Sequence, residues 1–105
     1  MGLTIEEVRK LCGEGAIRWT EHITMRMLQR GISRQDVVSA IRSGEIIEQY
    51  PDDYPFPSCL VLGMIHAGVP LHVVCGVGLG EVYVISCYTP DPHKWDSDFR
   101  RRLQG

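Results

Sequence analysis

"RQDVVSAIRSGEIIEQY", Arg34 to Tyr50, holds the point at which this chain changes periodicity. In its first half Val37, Ala40 and Ile41 recur at the spacing of a helix that buries one stripe. Ser33, just upstream, is a good N-cap, and Asp36 completes a capping box with it. Gly44 stops the helix. From Glu45 onward the spacing is strand-like, so "EIIEQY" reads as a first strand. The chain is therefore helix-forming before Gly44 and sheet-forming after it.

Downstream, "PDDYPFP" is a proline-rich loop, stiff and short of N–H donors. "SCLVLGMIH", "LHVVCGV" and "VYVISCYT" read as the second, third and fourth strands, joined by "AGVP" and the glycine-rich "GLGE". Connections this short predict an antiparallel meander. Gly63, Gly76 and Gly78 are expected to permit bulges and a strong bend. "PDPHKW" breaks the sheet, and "DSDFRRRLQG" reads as a short terminal helix or a tail.

Upstream, Thr4 and Glu7 form a capping-box pattern for a short helix with Ile5, Val8, Leu11 and Cys12 on one side, ending at Gly13. Thr20 caps a second helix, Ile23 and Met27 give it an apolar side, and Gly31 ends it. The corner "RGIS" is helix–turn–helix-like, but "RQDVVSAIRSG" carries few polar groups with which to read bases. The expected architecture is α+β: three N-terminal helices packed on a curved antiparallel sheet of about four strands, as one domain over residues 1–105.

The charged fraction of 23% and hydrophobic fraction of 44% are those of an ordinary globular chain, so function is expected in a groove or on a surface. No apolar run is long enough for a membrane span, and "MGLTIEEVRKLC" lacks the pattern of a secretory signal. Glu6 stands where a myristoylation signal needs Ser or Thr. A cytoplasmic protein is expected. Cys12, Cys59, Cys75 and Cys87 form no C-x-x-C pair, and three of them fall in apolar strand-like runs. They read as free thiols acting as small hydrophobes, and neither a metal nor another cofactor is expected.

The net charge of −2 argues against nucleic-acid binding driven by bulk charge. It leaves room for a local basic strip. His22, Arg26 and Arg30 stand four residues apart and line one side of the second helix. Arginine forks suit phosphate; the plain alternative is a solvated helix face. His72 lies inside an apolar strand, where its ring must find a partner or lose its charge. If the third and fourth strands pair, His72 falls near Tyr88. A base, an acid and cations are sufficient for RNA cleavage through the ribose 2′-hydroxyl. His22 or His72, Tyr88, Arg26 and Arg30 are the candidates. "GVGLGE" lacks the Lys-Ser/Thr of a phosphate-binding loop.

The segments "H-x-x-x-R-M-x-x-R-G-I-S", "S-G-E-I-I-E-x-Y-P-D-D", "P-S-C-L-V-L-G", "P-L-H-V-V" and "V-I-S-C-Y-x-P-D-P-x-x-W" resemble the DUF4258 domain over roughly residues 19 to 95. Ser86-Cys87 stands where that family often has Thr-Val. The resemblance implies kinship with RelE/ParE-like toxins, alongside BrnT toxins, and a toxin–antitoxin ribonuclease that needs no metal. It implies as partner a small zinc-finger protein similar to the MqsA antitoxin. Carried over by position, the motif residues are His22, Arg26, Arg30, Tyr50, His72 and Tyr88, with Arg26, Arg30 and Tyr50 on substrate phosphate. The competing expectation is a non-catalytic module that binds a protein target, as ParE-like proteins do, or an inactive homologue. The presence of only two lysines, Lys10 and Lys94, and the aromatic, acidic "YPDDYPFP" loop favour a protein partner. A free strand edge would suit a homodimer.

Overall fold

Each of the three expected N-terminal helices forms where its cap stands. The computed structural model describes residues 2–104, and at Ala67 the backbone alone. Helix α1 (Ile5–Gly13) starts at Thr4, whose hydroxyl accepts the Glu7 N–H. Strand β1 (Ile17–Trp19) follows. Helix α2 (Glu21–Arg30) is capped by Thr20 and closed by Gly31 at φ 68°, in the left-handed region where glycine is unstrained. Helix α3 (Arg34–Ser43) carries the full reciprocal box of Ser33 and Asp36. Arg9 of α1 then donates to the carbonyls of Ile41 and Gly44 at 3.2 and 2.7 Å, satisfying orphan acceptors at the end of α3.

After Gly44 the chain forms β2 (Glu45–Tyr50), β3 (Ser58–Met64), β4 (Pro70–Gly78) and β5 (Glu81–Tyr88). These four anticipated strands pair antiparallel, and the sheet order is β1-β5-β4-β3-β2. The fifth strand, β1, was not anticipated. It pairs parallel to β5, with Ile17 opposite Val82 and Trp19 opposite Val84. Three residues are too few to show alternation, so only the partner strand defines them. The architecture is α+β: three helices on a five-stranded, mostly antiparallel open sheet. The expected second strand stops at Met64, and His66 lies in a short 3-10 turn (His66–Gly68). No helix among the described residues is long and apolar enough to cross a membrane.

Strand parity divides the sheet into two faces. Leu71, Val73 and Cys75 of β4 join Ile23, Val37 and Ile41 in the helix-side core. His72 points the other way, toward an outer face that also buries Leu60, Leu62 and Trp95. Residues 89–104 form no terminal helix. They cross this outer face as a turn-rich strap, pinned on itself by a bridge between Trp95 and Arg102.

The glycines expected at bulges serve another purpose. The register shifts lie between Ile46 and Glu48 and between Val74 and Cys75. Gly63 instead lets α3 rest directly on β3, since a Cβ there would lie 2.0 Å from the Ala40 carbonyl oxygen. Gly78 lies under the Phe56 ring, which a Cβ would meet at 2.2 Å. The "GLGE" turn is tight because Leu79 and Gly80 both take positive φ, 53° and 74°, the twist that suits a two-residue hairpin.

Gly63→Ala should therefore destabilise the fold by roughly 1–3 kcal/mol through overpacking. Urea unfolding measures this. Gly76→Ala, whose nearest neighbour would be 3.3 Å away, should lose distinctly less.

Candidate functional site

The hairpin of β4 and β5 sets His72 directly opposite Tyr88. His72 is fully buried. Its Nε2 lies 2.8 Å from the Phe99 carbonyl oxygen, which can only accept, so Nε2 carries the proton and donates. Nδ1 is then the free acceptor. It faces the Tyr88 hydroxyl, which donates to it over a long 3.4 Å. Trp95 closes the third side, edge-on to the imidazole at 4.5 Å between ring centres.

Burial pushes the His72 pKa down, against the Phe99 carbonyl and Glu48, which favour the charged form; Arg102 adds to the fall. The ring is thus neutral near pH 7. Burial raises the Tyr88 pKa, so it remains a phenol. Glu48 and Tyr50 stand beside this pair on β2. The Tyr50 hydroxyl donates a short hydrogen bond to Glu48, and Arg102 forks onto the same carboxylate with both contacts at 3.1 Å. Burial works to raise the Glu48 pKa, but the Arg102 and Tyr50 hydrogen bonds outweigh it and hold the carboxylate ionised. Burial first, and then Glu48, pushes the Tyr50 pKa up to about 12. The Arg102 guanidinium also lies 4.7 Å over the Trp95 ring.

An open pocket of about 330 Å³ adjoins this cluster, lined by Tyr88, Thr89, Asp91, Lys94, Trp95 and Arg102. It offers the phenol of Tyr88 backed by a neutral imidazole, together with Lys94, the Glu48-paired Arg102 and the carboxylate of Asp91. That set can move a proton and hold an anion.

Of the expected site residues, Tyr50, His72 and Tyr88 come together here. His22 and Arg26 are exposed on α2, in the helix layer on the other side of the sheet. Arg30 donates to the Cys87 carbonyl at 2.7 Å, so it fastens α2 to the end of β5 beside Tyr88. Sequence reasoning missed Glu48, Lys94, Trp95 and Arg102. Glu48 had a readable signal, since it stands two residues from Tyr50 on one strand face. The other three lie in irregular chain, where no period identifies neighbours.

All four cysteines are free; Cys59, Cys75 and Cys87 are buried and Cys12 is half-buried. Among the described residues no three His, Cys, Asp or Glu side chains converge in a group that could hold a metal ion. A second, apolar groove of about 290 Å³ is lined by Tyr54, Pro55, Phe56, Tyr83 and Ile85, among others. Phe56 stacks on Tyr83 at 5.3 Å, and Tyr54 is 91% exposed.

A family model described as a domain of unknown function, DUF4258, matches residues 19–89. No curated protein and no solved structure matches the chain.

The buried imidazole makes stability depend on pH. The pKa of His72 is lower in the folded state than the ordinary value of 6.5, so the unfolded chain binds the proton more readily. Its contribution is present above about pH 6.5 and is lost as pH falls below it. Thermal unfolding from pH 7.5 to 5 should show this loss, and His72→Gln should flatten it. An NMR titration of the His72 ring should give a midpoint below that of an exposed histidine.

Proposed function

Since this chain belongs to the DUF4258 family, whose description names no activity, we propose on the geometry of the outer face that it cleaves RNA by acid–base chemistry at the Tyr88 pocket. One observation carries the reading. A phenol that burial keeps protonated stands between an open pocket lined by Lys94, Arg102 and Asp91 and the unprotonated nitrogen of a neutral histidine. Such a phenol does not act as a free phenolate. It acts as a relay, gaining one proton as it passes on another.

In this reading the ribose 2′-hydroxyl gives its proton to the Tyr88 oxygen while the Tyr88 proton moves to His72 Nδ1. The new imidazolium keeps its Nε2–H on the Phe99 carbonyl and has the Glu48 charge nearby. The 2′-oxygen forms a bond to phosphorus, and the bond from phosphorus to the 5′-oxygen breaks. Lys94 supplies a proton to the departing oxygen, and Arg102 offsets the charge that builds on the phosphate. His72 is a buried proton acceptor that substrate does not touch. Phosphate binding, expected of Arg26 and Arg30, passes to Lys94 and Arg102, and Tyr50 positions Arg102 through Glu48. His22 and Arg26 stay outside the pocket.

Kinship with RelE/ParE-like and BrnT-like toxins belongs to the same proposal, as does a small zinc-finger antitoxin partner. Helices packed on an antiparallel sheet support that kinship at the level of fold only. The apolar groove around Tyr54 and Phe56 favours a second reading, in which the chain binds and inhibits a protein target without cutting RNA.

Induced expression in a bacterial host separates the two. The first reading expects growth arrest with new RNA ends. Tyr88→Phe and His72→Gln should each slow RNA cleavage by the purified protein by about 10²- to 10⁴-fold while leaving it folded. Arrest with intact RNA would transfer the function to a protein target and leave the Tyr88 relay without a role.

A further inference from the structure

The sheet ends at β1. Among the described residues this strand pairs with β5 alone, so its other edge carries no strand. Two patches flank that edge, one on each face of the sheet. Trp19, the last residue of β1, packs on the helix side, and the Arg34 guanidinium lies 5.2 Å over its ring. Arg34 also lines a cleft of about 200 Å³ with Thr24, Met27, Leu28 and Ile32. Thr20, the next residue along the chain, lines the apolar groove of the outer face with Tyr54 and Phe56. Consecutive residues at the sheet edge thus reach the cleft on one face and the proline-rich loop on the other.

The two patches complement each other. Leu28 is 78% exposed and Tyr54 is 91% exposed, and each stands at the rim of an apolar recess rather than alone. Arg34 and Asp52 are both exposed, and among the described residues neither has an ion-pair partner. The helix-side patch therefore sets a cation beside a cleft. The loop sets an anion two residues from a projecting aromatic ring, and the cleft has about the size of that ring. Opposite charges and matching shapes on one molecule are what a self-complementary contact requires.

Symmetry allows the two to meet. A two-fold axis along the strand direction at this edge turns the sheet of a second copy over. The outer face of each copy then adjoins the helix face of the other, and loop meets cleft twice. We propose that this edge is the interface of a homodimer, in which Tyr54 of each copy fills the cleft beside Leu28 of the other and Asp52 pairs with Arg34. The proposal needs neither reading of the function. The Tyr88 pocket shares no lining residue with either patch and lies outside the contact.

Sedimentation equilibrium of the full chain tests it. Monomer and dimer should interconvert with concentration. Arg34→Glu and Asp52→Arg each set like charges together twice per dimer, and each should weaken association about ten- to a hundredfold. Combined in one chain, they should restore it to within about threefold. Leu28→Lys should weaken it about tenfold or more. Positions 28, 34 and 52 are exposed, so each variant keeps its fold, which circular dichroism checks. A chain that stays monomeric up to about 1 mM overturns the proposal. So does a dimer that ignores the single reversals, or one that the double reversal fails to restore, because its contact then lies elsewhere.

Discussion

A buried imidazole needs two partners, and much of this molecule is arranged to supply them to His72. Water cannot reach the ring, so an unsatisfied nitrogen would carry its full desolvation cost. The β4–β5 register brings Tyr88 to Nδ1. The strap brings the Phe99 carbonyl to Nε2, and Phe99 takes a positive φ of 61° to do so. That is an uncommon conformation for a bulky residue, and it persists only where its surroundings impose it. Trp95, Arg102, Glu48 and Tyr50 then close around the ring in turn. Hairpin register, strap path and the β2 carboxylate are three consequences of one requirement.

The other face is governed by packing. α3 rests on β3 with no side chain between them at Gly63, and the buried stripe of Val37, Ala40 and Ile41 completes that contact. The helix layer is consequently dense, and its outward surface carries His22 and Arg26 away from the sheet. The buried histidine and its partners lie on the face that the helices leave uncovered. There a 16-residue stretch of irregular chain must do with side-chain contacts what helices do by shape.

Local signals were legible in the sequence and distant ones were not. Thr20, Ser33 and Gly31 cap the helices by contacts within a few residues, so their identity alone places the boundaries. The pairing of His72 with Tyr88 was within reach because a two-residue turn leaves little freedom of register. β1 was illegible because its three residues become a strand only through β5. Helical spacing placed His22, Arg26 and Arg30 on one side of α2, but spacing does not say what a side faces. Arg30 meets a backbone carbonyl, while Lys94 and Arg102 reach the Tyr88 pocket from irregular chain that has no period to read. The bulge that places Glu48 with Glu45 erases the simple alternation by which strand faces are read.

The short parallel strand also sets the order in which the molecule can assemble. β1 emerges early in synthesis, yet its only partner is the last strand; Arg18 and Glu81, which bond across that pair, are 63 positions apart. A nascent chain that has produced all three helices still has no sheet on which to bury their apolar stripes, and most of the contacts it needs are non-local. Only when the final hairpin leaves the ribosome can the sheet close, and only the strap that follows completes the surroundings of His72. Folding thus waits for β5 and the strap, and a chain that stops before them lacks both its edge-strand partner and its covered histidine.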